Sequence, residues 1–167
     1  MIILKLYVIR FRQDDPKKCT AAKMVKFKIA KDIRHMNKNN LILDPFSKKI
    51  LLPKDKSLIK SIVGIDCSWN LVDQTFSKKF IGVKRKLPPL LAGNPVNYSK
   101  LNKLTTAEAI SASLFILGFK KDALDLLDKF KWGHTFYDLN QNLLDEYSKM
   151  ESEEELENIL KEYRLSN

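Results

Sequence analysis

The chain has 167 residues, 44% of them hydrophobic, with 30 Lys and Arg against 20 Asp and Glu. That length suits one compact domain or two small lobes sharing a core, the hydrophobic share excludes a disordered chain, and no apolar run approaches the roughly 18–20 residues of a membrane span. Cys19 and Cys67 lie far apart, which fits a reducing cytosol better than a disulfide scaffold; they cannot make a zinc site unaided, and His35 and His134 lack metal-ligand spacing.

The net charge of +10 is unevenly spread. Residues 1–103 carry 23 Lys and Arg against 7 Asp and Glu, a balance of +16, whereas residues 104–167 carry 7 against 13, a balance of −6. A basic half joined to an acidic half points to one face made for a polyanion, nucleic acid being the usual partner. The bland alternative is a lysine-rich composition inherited from an AT-rich or thermophilic genome, which the Ile, Asn and Lys usage also fits.

The opening Met1–Phe11 is apolar, but Lys5 and Arg10 interrupt it and no small-residue cleavage site follows. It reads as a first buried strand over Ile2–Arg10 rather than a signal peptide. Gln13–Lys18 is a polar loop containing Pro16, and Thr20 is placed to cap a short helix running through Lys26. Leu41–Leu43 and Ile50–Leu52 are short apolar runs, each closely followed by a proline, Pro45 and Pro53. Asp55 and Ser57 open a short helix, and Ile62–Cys67 reads as another buried strand. This alternation predicts a parallel sheet with crossover helices.

Leu87–Tyr98 breaks the pattern. With Pro88, Pro89, Gly93 and Pro95 it is neither regular helix nor central strand, and Leu90, Leu91 and Ala92 argue against a solvated linker. Beyond it the chain reads as helical. Thr105 to Glu108 is a capping box; Ala107, Ile110, Leu114 and Leu117 keep helical spacing, and Gly118 stops the helix. Further helices are predicted over about Asp122–Phe130, about Tyr137–Lys149, and after a second capping box at Ser152 and Glu155, each with an apolar stripe of period near 3.6. The fold class is therefore α/β, with a basic α/β lobe over 1–92 and an all-α lobe over 93–167.

No G-x-G-x-x-G, Walker loop, H-E-x-x-H or G-x-S-x-G appears, and with only 5 glycines a glycine-cradled phosphate site is improbable. Three constellations remain. In Gly64–Trp69 a carboxylate, Asp66, sits at the carboxyl end of an apolar strand, where open α/β sheets bind ligands; it can serve as a base or hold a cation, and Asp66 or Ser68 can equally just cap a following helix. In Lys84–Tyr98 three cations precede a rigid loop whose backbone groups are not consumed by regular structure, an arrangement that suits an adenosine-like ligand or, more plainly, a proline-rich linker. In Asp15–Thr20 two lysines and a hydroxyl stand at a helix start, which favours an anionic group, while a plain cap explains Thr20 as well. Cys67 reads as a small buried thiol, Trp69 and Trp132 as core aromatics with base stacking as the alternative, and His134 as structural.

Together these segments resemble the ribosome-biogenesis aminocarboxypropyltransferase family acting on small-subunit rRNA. The matching strings are Asp15-Pro16-Lys17-Lys18-Cys19-Thr20, Ile65-Asp66-Cys67-Ser68-Trp69, Leu87-Pro88 through Asn94-Pro95-Val96-Asn97-Tyr98, Leu104-Thr105-Thr106-Ala107-Glu108-Ala109 and Phe130-Lys131-Trp132-Gly133. They occur in the family's order over nearly the whole chain. Gly93 and Ser99 stand where the family pattern has Ala and Gly.

The resemblance implies a SPOUT-like fold with a trefoil knot and S-adenosylmethionine (SAM) bound in it around the proline-rich loop. By position, Leu43 and Pro45 help form the adenine pocket, the backbone of Ile65 meets the ribose, and Leu90 holds the ligand through its main chain. Thr20 contacts the transferred amino-acid part, and Leu104, Thr105 and Ala109 close the site. The implied reaction moves the 3-amino-3-carboxypropyl group to a ring nitrogen of a (methyl)pseudouridine in small-subunit rRNA and releases 5′-methylthioadenosine. Asp66 is the candidate base or orienting group, with positioning carrying much of the rate. Lys17, Lys18, Lys48, Lys49, Lys84, Arg85 and Lys86 would hold the RNA backbone. No metal is implied; a monomer in the cytoplasm, away from membranes, is expected. The competing readings are a SPOUT-type rRNA methyltransferase and a non-catalytic rRNA-binding assembly factor.

Overall fold

The computed structural model describes residues 4–11, 19–66 and 80–165. Their order is β1 (Lys5–Arg10), α1 (Thr20–Lys26), β2 (Lys31–Asp32), β3 (Asn40–Leu43), a 3-10 turn (Pro53–Leu58), β4 (Ser61–Asp66) and β5 (Val83–Arg85). Four helices follow: α2 (Thr106–Ile116), α3 (Lys120–Leu127), α4 (Gly133–Tyr147) and α5 (Glu155–Glu162). Among the described residues the strands form one sheet in the order β2-β1-β4-β3-β5, every neighbouring pair parallel. The expected parallel sheet with crossovers is present. The expected loop at Gln13–Lys18, and Cys67 and Trp69, lie outside the described residues.

The central strands are buried where their sequence is mostly apolar. All of β3 and Ser61–Gly64 of β4 are buried, as befits strands covered on both faces. The side chains of Asn40 and Ser61 hydrogen-bond to each other between these two strands. Two strands carry no legible sequence signal. β2 has two residues, both exposed, and β5 is three residues containing Lys84 and Arg85. Arg10 ties β1 to β2 by donating to Asp32 through Nε (2.7 Å) and Nη2 (2.5 Å).

Helix α1 has the expected extent, but its N-cap is Cys19 and not Thr20. The Cys19 sulfur accepts from Ala22 N at 3.4 Å, while Thr20 is the first helical residue and turns its hydroxyl towards α2. Likewise the 3-10 turn begins at Pro53, whose fixed φ suits a first helical position, and Asp55 reaches back to accept from Leu52 N at 2.9 Å.

Helix α2 is the hub. Ala107, Glu108 and every residue from Ile110 to Leu117 are buried, so this helix is covered on all sides. It lies against β4 at Gly64, where an added Cβ would come within 2.7 Å of Thr106 Cγ2 and 2.9 Å of Ile110 Cδ1. Gly118 ends it with φ +95, and the Phe119 N–H then bonds Leu114 O at 2.8 Å, a left-handed stop that glycine makes cheap. Helix α4 starts four residues earlier than its apolar stripe suggests. Gly133 allows this: a Cβ there would lie 2.0 Å from Leu127 O, so only glycine lets α4 begin against the end of α3. One apolar core runs from Val8, Leu41 and Ile62 of the sheet to Leu126, Phe136 and Tyr147 of the helices.

Candidate functional site

The carboxyl ends of the parallel strands form a common edge. Ile65 and Asp66 end β4, Arg10 lies level with Asp66 on β1, and Leu43 ends β3 level with Arg85 on β5. The chain leaves β5 at this same edge and enters the proline-rich segment directly. This is where an open α/β sheet places a ligand. Pro45, half-buried, follows Leu43 by two residues.

Two helix starts converge on Asp66. The Cys19 thiol donates to Asp66 Oδ2 at 3.0 Å, and the Thr106 hydroxyl donates to Oδ1 at 3.4 Å. Thr20 Oγ1 accepts from Ala107 N at 3.1 Å, which locks the start of α1 to the start of α2. A hydroxyl that accepts there still has its own hydrogen to offer. Burial pushes the Cys19 thiol up to about 11, helped by its bond to Asp66, so at neutral pH it is a protonated donor.

The proline-rich loop is pinned, not free. Tyr147 Oη donates to Pro89 O at 2.7 Å. Buried Asn140 grips Leu91 at both ends, accepting from its N–H at 2.8 Å and donating to its carbonyl at 2.7 Å. Ala92 N donates to Lys100 O (2.9 Å), and Ala92 O accepts from Ser99 N (2.7 Å). Glu108, fully buried, accepts from Gly93 N (2.7 Å), Asn94 Nδ2 (2.7 Å) and Thr105 N (2.9 Å). The expectation of unconsumed backbone groups across this loop is therefore corrected: side chains from α2 and α4 take the bonds that regular structure does not. Leu90 is the exception in quality. Its N–H meets Asn102 Oδ1 at a long 3.3 Å, and Asn102 is an exposed residue with φ +61.

Glu108, Asn140 and Tyr147 carry no mark of a site role in the sequence. Glu108 was legible only as half of a capping box, and nothing in the helical spacing of Asn140 and Tyr147 tells a core polar group from a loop anchor. Thr105 is where the sequence put it, at the N-cap; its hydroxyl accepts from Glu108 N at 3.2 Å. Leu104 and Ala109 flank it, both half-buried.

Four of the lysines proposed for RNA come together. Lys86 N bonds Lys49 O at 2.8 Å, and the Ser47 hydroxyl bonds Lys84 O at 3.2 Å, so Lys48, Lys49, Lys84 and Lys86 share two adjacent segments. Lys48 and Lys49 are exposed. Arg85 differs from them: its Nε and Nη2 each lie 3.1 Å from a carboxylate oxygen of buried Asp55, so its charge is met internally. Lys17 and Lys18 lie outside the described residues. Trp132 packs on Phe130 with ring centroids 5.2 Å apart, and His134 is exposed.

Comparison with known proteins bears on this arrangement. Residues 41–164 match the family described as ribosome biogenesis protein, C-terminal. Residues 4–35 match a possible Fer4-like domain in RNase L inhibitor. That span holds one cysteine, Cys19, whereas iron–sulfur clusters are held by four cysteines, so these residues do not fit a cluster. The 16S rRNA aminocarboxypropyltransferase of Saccharolobus islandicus is 46% identical over 161 residues, 95% of each chain. Its namesake from Methanosarcina acetivorans is 41% identical over 163 residues, 95% of this chain and 93% of the relative. The solved structure of the SAM-dependent rRNA:acp-transferase Tsr3 from Vulcanisaeta distributa matches with a TM-score of 0.82 at 36% identity, covering 89% of this chain and 84% of that one. With these likenesses spanning both the sheet edge and the helices that pin the loop, the chain belongs to the 16S rRNA aminocarboxypropyltransferase family.

Proposed function

We propose that this protein transfers the 3-amino-3-carboxypropyl group from SAM to a ring nitrogen of a (methyl)pseudouridine in small-subunit rRNA, with 5′-methylthioadenosine as the leaving product. The observation that carries this reading is the convergence of α1, α2 and the pinned proline-rich loop on the carboxyl edge of the sheet, in a chain 46% identical to a named 16S rRNA aminocarboxypropyltransferase.

The residues at this edge fit a nucleoside-bearing donor. Leu43 and Pro45 offer apolar surface for the adenine, and the backbone of Ile65 meets the ribose. Leu90 offers a main-chain N–H whose present partner is a long contact to an exposed side chain, one that a ligand can displace. Thr20, held against Ala107, directs its remaining hydrogen at the carboxypropyl end, and Leu104, Thr105 and Ala109 close the mouth. The bound donor supplies a sulfonium whose γ-carbon is open to attack. The ring nitrogen forms the new bond there, the carbon–sulfur bond breaks with its electron pair moving to sulfur, and the N–H proton goes to Asp66 or water. Holding the reactants in line is the larger contribution, since an ordinary carboxylate is a weak base for an imide.

Lys48, Lys49, Lys84 and Lys86 then hold the RNA backbone, and the family's motif string assigns Lys17 and Lys18 the same role. We also propose the trefoil knot that the family resemblance implies. The basic lobe, 1–92, provides the RNA surface and most of the donor site, and the helical lobe, 93–167, completes it. We also propose a monomer working in the cytoplasm; none of the described helices is long and apolar enough to cross a membrane.

The test is incubation with small-subunit rRNA and SAM labelled separately in the methyl and carboxyl groups. Carboxyl label entering the RNA, with methyl label leaving as methylthioadenosine, is the expected result. Methyl label entering alone makes the protein a methyltransferase.

A further inference from the structure

The Cys19 side chain does two things at once. It accepts from Ala22 N at 3.4 Å as the cap of α1, and it donates to Asp66 Oδ2 at 3.0 Å across to the end of β4. Sulfur is a weak acceptor, and Ser, Thr, Asp and Asn are the strong caps, so capping alone uses the residue poorly. The donation is better placed. Cys19 is 8% exposed, its thiol is protonated at neutral pH because burial opposes the thiolate, and the partner is a carboxylate. Thr106 holds the other oxygen of Asp66 at 3.4 Å. The carboxylate is thereby gripped on both oxygens, from the N-cap of one helix and the first residue of another.

We propose that Cys19 is a positioning residue for the transfer reaction: its thiol fixes the rotamer of the Asp66 carboxylate so that one lone pair faces the acceptor's N–H. This rests on the reading of Asp66 as the group that orients or accepts that proton. Cys19 itself touches neither donor nor acceptor in this role.

Three variants at position 19 separate positioning from folding. Cys19→Ser keeps both the cap and the donor. Cys19→Gly keeps a residue tolerated at N-caps but removes the donor, and Cys19→Ala removes both. Each is assayed at saturating rRNA for kcat and for KM towards SAM, alone and combined with Asp66→Asn, alongside its melting temperature. Losing a hydrogen bond to a charged group predicts a fall in kcat of about tenfold in the Gly and Ala variants. KM for SAM should move less than twofold, and the Ser variant should recover at least a third of the wild-type rate. In the Asp66→Asn background, Cys19→Gly should cost nothing further.

If Ala fails to fold, the Gly and Ser pair still decides. Equal losses in Ser and Gly, no loss in Gly, or a loss that persists undiminished beside Asp66→Asn, each overturns the positioning role while leaving Asp66 in place. An Asp66→Asn protein with unchanged kcat removes the reading of Asp66 and the role of Cys19 with it.

Discussion

Glu108→Gln is the sharpest probe of how the proline-rich loop is held. In the native protein the carboxylate accepts three hydrogen bonds inside the core: Gly93 N at 2.7 Å and Asn94 Nδ2 at 2.7 Å from the loop, and Thr105 N at 2.9 Å within its own cap. Glutamine has nearly the same shape but only one acceptor oxygen. With that oxygen towards Asn94 and Thr105, its amide nitrogen faces the Gly93 N–H, donor against donor. One charge-assisted bond is lost, one buried donor is left unmet, and two bonds weaken from charged to neutral acceptors. The cost worked from typical values is about 3 kcal/mol. For a chain of this size that lowers the melting temperature by about 6–12 °C. Because the loop carries Leu90, SAM affinity should fall as well, which titration calorimetry on the folded variant measures. A Glu108→Gln protein melting within about 2 °C of wild type, with unchanged SAM affinity, would refute the view that this side chain anchors the loop.

Asn140→Ala removes the grip on both backbone groups of Leu91 and should cost about 2–3 kcal/mol by urea unfolding, with a larger loss in SAM affinity than an exposed substitution such as Asn142→Ala produces. Ser99 has φ +64, a left-handed conformation that costs an L-residue about 1–2 kcal/mol, so Ser99→Gly should raise stability by up to about 1 kcal/mol once glycine's extra chain entropy is offset. The Cys19 thiol titrates higher in the folded protein than in the unfolded chain, so between pH 9 and 11 the unfolded state loses its proton first and stability falls as pH rises. Stability measured at pH 8.5 and 10.5 should therefore drop more in wild type than in Cys19→Ser, by about 1 kcal/mol. Replacing Lys48, Lys49, Lys84 and Lys86 together should flatten the dependence of log RNA affinity on log salt by about 3, and an unchanged slope would move the RNA elsewhere.

Much of the fold was legible because it follows from local rules. The short apolar runs at Leu41–Leu43 and Ile62–Cys67, bounded by turn signals, read as buried parallel strands. Thr105 and Glu108 mark the start of α2 by their spacing, and Gly118 marks its end by its backbone freedom. The five motif strings in order were enough to point to the family. β2 and β5 were not legible, since two and three residues carry no period and their existence depends on neighbours in the sheet.

The candidate site divides the same way. Asp66 and Thr20 are candidates for it through the family's motif strings, with their places at a strand end and a helix start also open to a plain capping role. What surrounds them is a matter of contacts between residues far apart in the chain: Cys19 to Asp66, Thr20 to Ala107, Asn140 to Leu91, Glu108 to Gly93, Arg85 to Asp55. A sequence states which hydrogen-bonding groups exist and how regular structure consumes those nearby. It does not state which distant partner meets a buried carboxylate or a proline-rich backbone, because that pairing is decided by packing, which alone determines what comes within 3 Å of what. The family and the sheet were thus set by local pattern, while the neutral thiol beside Asp66 and the three anchors of the loop belong to the tertiary structure.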